Sequence, residues 1–182
     1  MKEDIYWVRR VNKGNKNDFS QLVKKYKDRI YSFILTTVFN EEDAVELTQE
    51  TFINAYNGLS AFREGHSFKN WLFTIASHKT IDFLRKKKKN KEQELLDTDV
   101  GRIRTSHLDR FIQDERIKKL QSEIEKLPDN YRMVILLKHK ENMRIENISK
   151  MMNIPEGTVK VWLHRARMKL KERMLKYDSE PI

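Results

Sequence analysis

Apolar residues recur every three or four positions along most of this chain, which is the spacing of amphipathic helices. One such run predicts a long helix that Asn17 or Asp18 can cap, and residues 5–11 predict a shorter helix before it. The chain holds only five glycines and three prolines, too little turn chemistry for several β-hairpins. The sequence therefore predicts an all-α protein. The apolar positions of the long helix are Phe19, Leu22, Val23, Tyr26, Ile30, Phe33 and Ile34.

The next predicted helix begins at Asn40 and has an unusual charge pattern. Between Asn40 and Phe62 there are five carboxylates and no lysine or arginine. Capping of the first turn, where the helix dipole favours negative charge, accounts for the first three carboxylates but not for the last two. This segment is therefore a distinct acidic surface, suited to a partner surface that is basic. The five carboxylates are Glu41, Glu42, Asp43, Glu46 and Glu50.

A turn-like segment at residues 63–67 precedes a predicted helix of about six turns, from Phe68 towards Lys91. One side of this helix is apolar and is predicted to be core (Phe68, Leu72, Ile75, Ala76, Phe83). The other side places Trp71 among mostly polar residues (Thr74, His78, Ile81, Asp82, Arg85). A half-buried tryptophan is the commoner interpretation, and contact with unstacked bases is the functional one. Six cations in residues 85–91 are typical of a solvated tail or of a non-specific phosphate grip.

Composition changes at Glu92, and residues 93–113 lack sustained periodicity. We interpret them as a flexible linker between an N-terminal domain of residues 1–92 and a C-terminal domain of residues 114–178. Helical periodicity then resumes with Ile117, Leu120, Ile124 and Leu127. A turn at Pro128 follows, and residues 131–137 are apolar nearly all round, so they are predicted to be buried.

Near the C terminus the pattern predicts two helices that meet at a tight corner, residues 153–158. Pro155 is tolerated where the second helix begins, because the first N–H groups of a helix have no partner there. This arrangement is typical of a helix-turn-helix. The apolar stripe of the short first helix is Ile145, Ile148 and Met152, and that of the longer second helix is Val159, Leu163, Ala166, Leu170 and Met174.

The second helix of this pair carries charge of almost one sign. Residues 160–176 hold seven lysines and arginines against Glu172 alone. A helix that is merely solvated normally mixes both signs, so the pattern favours a DNA-reading helix over a solvated αα-hairpin. The side away from the apolar stripe carries Lys160, Val161, His164, Arg165, Met168 and Lys171.

Charge and composition narrow the class of protein. Of the 182 residues 35% are charged, and the formal net charge of +10 indicates a polyanionic partner, either nucleic acid or an acidic membrane surface. The absence of cysteine excludes disulfides and thiolate metal sites, and the five histidines show no metal-ligand spacing. With no phosphate-cradling glycine loop and no nucleophile constellation, we expect no metal, no cofactor, no small-molecule substrate and no catalysis. With no secretory signal and no apolar run approaching ~20 residues, we expect a cytoplasmic chain without direct membrane insertion.

Four segments in this order resemble the extracytoplasmic-function (ECF) subfamily of bacterial RNA polymerase sigma factors. Residues 43–56 (DAVELTQETF followed by AY) resemble the polymerase-binding helix of that family, and residues 62–85 resemble its promoter-melting segment. Residues 127–135 (LPDNYRMVI) resemble the entry to its second DNA-binding domain. Residues 154–167 resemble its −35-reading helix. Several motifs in order, with fitting spacing, are more specific than one helix-turn-helix.

The resemblance implies two small helical domains joined by a flexible linker, the second containing the helix-turn-helix. It implies a protein that binds core RNA polymerase and directs it to −10 and −35 elements of promoter DNA, under the control of an anti-sigma factor. On core polymerase, the clamp helices of the largest subunit would contact Glu41, Asp43, Glu46, Gln49, Glu50 and Phe52. At the −10 element, the 63–67 loop would pocket an extruded base, and the contacts would be Arg63, Ser67, Phe68, Lys69, Trp71, His78, Lys79, Arg85 and Lys86. At the −35 element, Lys160, Val161, His164 and Arg165 would face base edges, and Arg167, Lys169 and Lys171 would grip phosphates.

The chain departs from the family at three positions. The family usually has asparagine where His78 stands, which predicts an unusual −10 preference. It commonly has serine or threonine and then arginine where this chain has Val161 and Trp162, so Val161 could meet a thymine methyl instead.

Lys79 falls towards the apolar stripe of its helix, so either its side chain extends past the stripe to bring the ammonium group to solvent, or the stripe bends.

A rival from another class is a transcriptional regulator whose N-terminal half senses a ligand or dimerises. Such a regulator would bind duplex DNA by itself, whereas a sigma factor would need polymerase. If the chain were such a regulator, the acidic helix that begins at Asn40 and the segment 62–85, which suits single-stranded DNA, would have no role.

Overall fold

The computed structural model describes residues 2–94 and 115–179, which divide between two compact units, Met1–Gly101 and Arg102–Ile182. Within the described residues the regular structure is entirely helical, as the hydrophobic spacing predicts. The predicted linker at 93–113 lies outside the described residues, apart from its first two positions, which belong to the last turn of a helix. Neither described stretch contains a helix that is both long enough and apolar enough to cross a membrane.

The described part of the first unit, residues 2–94, contains four α-helices: α1 (Lys2–Asn12), α2 (Phe19–Val38), α3 (Glu41–Asn57) and α4 (Phe68–Glu94). Short 3-10 turns at Lys16–Asp18 and Leu59–Ala61 connect them. Helices α2, α3 and α4 pack against one another, and α1 packs on α2. Aromatic rings hold the centre, with the rings of Phe33 and Phe73 5.5 Å apart and edge to face.

The ends of α2 and α3 follow from local chemistry, with one exception. Phe39 takes a left-handed conformation (φ 55°) that ends α2, and the Asn40 side chain caps α3 by accepting a hydrogen bond from the Asp43 N–H at 2.8 Å. The prediction that Asn17 or Asp18 caps α2 is confirmed in position, because Asp18 is the N-cap residue, but no side-chain hydrogen bond accompanies it. The Asp18 carboxylate accepts from the Arg10 guanidinium instead.

The second unit contains α5 (Glu115–Glu125), α6 (Asp129–Ile135), α7 (Ile145–Met152) and α8 (Glu156–Ser179). A π-helical turn at Leu136–Lys140 extends α6. Helix α8 packs against α5, α6 and α7, and its predicted stripe is buried at Val159, Leu163 and Ala166. Residues 131–137 are almost wholly buried as predicted, whereas Ile117 and Leu120 of α5 face solvent.

One charged residue lies inside the apolar segment of the second unit. Arg132 is only 1% exposed. Its guanidinium donates to the carbonyl oxygens of Ile124 (3.3 Å), Glu125 (2.7 Å) and Leu127 (2.8 Å), and it contacts the Asp129 carboxylate at 3.2 Å. The last carbonyl groups of a helix have no partner within that helix. Arg132 therefore supplies the C-terminal cap of α5.

Candidate polymerase and DNA interfaces

Helix α3 presents an exposed face on which acidic and apolar side chains alternate. Glu41, Glu46 and Gln49 of the predicted polymerase contacts are exposed on this helix. Two large apolar residues are exposed as well, Val45 at 46% and Ile53 at 58%. Residues 42, 45, 46, 49 and 53 are three or four positions apart and so share one side of the helix. Val45 and Ile53 are not among the contacts predicted from the sequence, although each lies four positions from Gln49 and could have been identified by that spacing.

Two of the predicted acidic contacts are bound to lysines of α4. The Lys87 ammonium donates to Asp43 at 2.6 Å, and the Lys79 ammonium donates to Glu50 at 2.8 Å. These ion pairs tie α3 to α4, so Asp43 and Glu50 have structural partners within the unit.

Phe52, also a predicted polymerase contact, is only 8% exposed. Its expected role as a surface contact is corrected, because the ring belongs to the core beneath α3.

Lys79 lies between the core and solvent, as its position on the helical wheel suggested. Its side chain is half-buried, and its ammonium group lies against Glu50 on the neighbouring helix. The apolar stripe therefore does not have to bend, because Glu50 on α3 neutralises the charge of the Lys79 ammonium group. The Lys79 side chain thus pairs with α3 and does not extend into solvent.

The 63–67 loop, predicted to pocket an extruded base, is fastened to α1. Arg9 donates to both carboxylate oxygens of Glu64, at 2.9 and 2.6 Å. This geometry is the bidentate pairing of an arginine with a carboxylate, and the Arg9 hydrogen bond lowers the pKa of Glu64. Within the loop Arg63 is exposed and Ser67 is half-buried, with the Ser67 hydroxyl 3.4 Å from the Asn70 N–H at the start of α4.

Aromatic packing determines how much of Phe68 and Trp71, at the start of α4, is exposed to solvent. Phe68 is fully buried, so its predicted contact with the −10 element is corrected: the ring is a core residue. Trp71 is half-buried between Phe62 (ring centroids 5.3 Å apart) and Phe68 (5.6 Å). That is the commoner of the two interpretations made from the sequence, and the remaining exposed part of the indole can still meet a base.

The remaining predicted −10 residues lie on the outer side of α4. His78, Arg85 and Lys86 are exposed, and the half-buried Lys69 has its ammonium 5.7 Å from the centre of the Phe73 ring. The lysine run is not wholly solvated, because Lys87 turns inward to Asp43. Helix α4 thus pairs Lys79 and Lys87 with carboxylates of α3 and exposes the side that carries His78, Arg85 and Lys86 to solvent.

The corner of the helix-turn-helix is closed by local hydrogen bonds. Asn153 takes a left-handed conformation (φ 52°), which ends α7. The Ser149 hydroxyl donates to the Ile154 carbonyl at 2.6 Å, and the Pro155 carbonyl accepts from the N–H groups of Thr158 (3.0 Å) and Val159 (3.2 Å). Pro155 thus stands at the start of α8, where its missing N–H costs nothing.

Helix α8 turns its basic side to solvent. All the predicted −35 residues are exposed: Lys160, Val161, His164, Arg165, Arg167, Lys169 and Lys171. Val161 is 45% exposed and Met168 54%, so apolar surface suited to thymine methyl groups accompanies the cations. Trp162 is half-buried, with its ring centroid 6.3 Å from that of Tyr131. The position that is commonly arginine in the family is used here for packing.

One residue beside this surface is not among the contacts predicted from the sequence. His139, in the π-helical turn, lies with its Nε2 atom 3.1 Å from an Arg167 nitrogen. Because a guanidinium only donates, Nε2 must accept and the ring proton sits on Nδ1. Burial, and then the charges of Arg167 and Lys138, lower the pKa of His139. His139 therefore holds the Arg167 guanidinium in place on the exposed, basic side of α8.

Comparisons with known proteins match both units to one class. The sigma-70 region 2 family matches residues 22–90, and the sigma-70 region 4 family matches residues 117–170. The chain is similar to the ECF RNA polymerase sigma factor SigW of Bacillus subtilis, with 34% identity over 92% of this chain and 94% of the relative. It is also similar to SigM of the same organism (32%, covering 83% and 91%) and to the sigma-H factor of Pseudomonas aeruginosa (30%, covering 91% and 90%).

Solved structures share the fold. The sigma factor RpoE of Bartonella quintana, solved in complex with the anti-sigma factor NepR, aligns with a TM-score of 0.73 at 23% identity, covering 88% of this chain and 98% of RpoE. CnrH, solved with the cytosolic domain of CnrY, aligns with a TM-score of 0.67 at 24% identity, covering 97% of this chain and 99% of CnrH.

The two matched regions define a sigma-70-type transcription initiation factor with region 2 in the first unit and region 4 in the second. Within that class, this chain belongs to the ECF family of RNA polymerase sigma factors. It is a sigma factor, which binds core RNA polymerase and directs it to promoter DNA.

Proposed function

We propose that the outward face of α3 is the surface by which this sigma factor docks on core RNA polymerase. The observation that carries the proposal is an acidic and apolar face on a protein of net charge +10, with Val45 and Ile53 exposed beside Glu46. A face of this kind complements a basic partner and repels the phosphates that the rest of the surface attracts. Exposed apolar side chains supply the desolvated contacts that hold such an interface together.

Two further surfaces would hold the promoter. The outer side of α4 and the 63–67 loop combine Arg63, Trp71 and His78 with lysines, a combination that suits unpaired bases and their phosphates. The basic side of α8 would read the −35 element, with Arg165 at base edges and Lys171 on phosphate. The domain division expected from the sequence, 1–92 and 114–178, would thus separate −10 from −35 recognition.

Two further expectations accompany this assignment. RpoE was solved with an anti-sigma factor, and this similarity in fold supports a partner of that kind for the present chain. Control would be exerted by lowering the fraction of the chain that reaches core polymerase. Transcription takes place in the bacterial cytoplasm, which is therefore the compartment proposed for the chain.

The docking surface is tested by reversing one charge on it. Glu46→Lys should weaken binding to core polymerase at least tenfold, measured with fluorescently labelled sigma factor and purified core enzyme. The matched control is Asp28→Lys, which makes the same charge change at an exposed position of α2. Glu50→Lys is a poorer probe, because it would also break the ion pair with Lys79.

The apolar part of the face has its own test. Ile53→Ser should weaken core binding, whereas Leu175→Ser, at a similarly exposed leucine of α8, should not. Equal affinities for Glu46→Lys and Asp28→Lys, together with equal affinities for Ile53→Ser and Leu175→Ser, would overturn the assignment of α3.

A further inference from the structure

A cavity of about 320 Å³ lies between α1 and the 63–67 loop. Its volume is at the lower end of the range for small-ligand pockets. The loop contributes Glu64, Gly65 and His66, and α1 contributes Ile5, Tyr6 and Arg9. The lining includes no residue of α4, so this cavity is distinct from the base pocket that the family resemblance assigns to the loop with Trp71, His78 and Lys79.

An aromatic ring forms part of this cavity. Tyr6 lines the cavity and is 53% exposed. Its edge-to-face contact with Trp7, with centroids 4.8 Å apart at 72°, restrains the ring and leaves much of it accessible. An accessible aromatic ring beside a nucleic-acid-binding loop is the common platform on which an unpaired base stacks.

Hydrogen-bonding groups lie beside the ring. Arg9 and Glu64 hold each other in the bidentate pair, yet their side chains remain 60% and 48% exposed. A guanidinium has five N–H donors and an ionised carboxylate several acceptor sites, so the pair presents unused donors and acceptors side by side. The edge of a nucleobase carries the complementary arrangement. Because the same pair ties the loop to α1, the cavity exists before any ligand arrives.

We propose that this cavity binds one unpaired nucleobase of the strand separated at the −10 element, next to the base extruded into the loop pocket. The proposal rests on the proposed function, since only promoter opening presents such a strand here. The base stacks on Tyr6, and its edge meets the Arg9–Glu64 pair. Lys2, which also lines the cavity, neutralises the neighbouring phosphate.

The test places the fluorescent base 2-aminopurine at successive positions of the single-stranded part of a fork-junction promoter. The fork is bound by holoenzyme reconstituted from the full chain and core polymerase. One position beside the extruded base should be quenched by wild type and by Tyr6→Phe, which keeps the ring. The same position should be brighter with Tyr6→Ala, and the fork should dissociate roughly tenfold faster.

Two outcomes would contradict the proposed base-binding cavity, and one of them would also contradict the proposed function. If wild-type holoenzyme binds the fork and Tyr6→Ala matches it at every 2-aminopurine position, the cavity holds no base and the proposed function stands. If wild-type holoenzyme fails to bind the fork, both proposals fail. Lys13→Ala, a charge removed from the exposed turn after α1, should leave every signal unchanged.

Discussion

At the scale of single residues, buried charges fix the geometry of both units. Arg132 ends α5 by bonding three carbonyl oxygens, and in the first unit Asp4, only 4% exposed, accepts hydrogen bonds from Lys25 (2.7 Å) and from the Tyr26 hydroxyl (3.0 Å). Such groups are costly to leave unpaired, so each holds its partners in one arrangement. For Arg132 that arrangement sets the end of α5 against α6, at the entry to the DNA-reading domain.

Replacing Arg132 by alanine should destabilise the second unit by about 3–5 kcal/mol, because several buried carbonyl oxygens would lose their donor. Asp129→Ala should cost less than about 1 kcal/mol, since that carboxylate is half exposed. Hydrogen exchange of the full chain, followed by mass spectrometry, would measure this in peptides from α5 and α6. Equal protection in the two variants would contradict the capping role of Arg132.

The hydrogen-bonded group of Asp4, Lys25 and Tyr26 predicts that the first unit loses stability at alkaline pH. Burial, together with the Asp4 charge and hydrogen bond, raises the pKa of Tyr26 from 10.0 to about 12. A raised folded-state pKa means that the stabilisation is complete below pH 10 and is lost as the pH rises from 10 to 12. Urea unfolding of the first unit across this window should therefore show falling stability.

The control for this pH dependence is Tyr26→Phe, which lacks the titrating hydroxyl. Its decline between pH 10 and 12 should be shallower than that of wild type. Parallel curves for the two proteins would contradict the assignment of the raised pKa to Tyr26.

At the scale of elements, α3, α4 and α8 each divide their residues between packing and function. Helix α3 buries Phe52 and exposes Glu46, α4 buries Phe68 and exposes His78, and α8 buries Leu163 and exposes Arg165. Most of these divisions follow from helical periodicity alone, which is why the helices and the basic side of α8 could be predicted from the sequence.

What periodicity could not predict depends on contacts between elements. Only the three-dimensional arrangement of neighbouring helices shows that Lys79 and Lys87 pair with α3. The same is true of the contact between His139 and Arg167. The family resemblance placed Phe52 and Phe68 among contact residues, but each ring is taken up by the core. A motif marks a segment as functional without separating its contacting residues from its supporting ones.

The basic side of α8 predicts two kinds of effect on DNA binding. Arg165→Ala should weaken promoter binding by ~1–3 kcal/mol and change the preferred −35 sequence, because it would remove the base contact proposed for this residue. Lys171→Ala should weaken binding by a similar factor on every sequence, because it would remove the phosphate contact proposed for this residue. Holoenzyme binding to a library of −35 variants would measure both, and identical sequence profiles for the two variants would contradict this sorting.

At the scale of the whole molecule, charge is distributed by task. The formal net charge is +10, yet the segment from Asn40 to Phe62 holds no lysine or arginine. General attraction to nucleic acid is thereby combined with one face that favours a protein partner over DNA. A transcriptional regulator that bound duplex DNA by itself would gain nothing from such a face. The charge distribution instead fits a factor that reaches the promoter together with polymerase.

The most direct measurement is RNA synthesis from a pool of random promoter sequences, using purified core enzyme with and without the full chain. Addition of the chain should enrich transcripts from templates that share a −10 and a −35 element, and Glu46→Lys should reduce that enrichment while Asp28→Lys does not. Transcripts that are equally unselective with and without the wild-type chain would contradict the account.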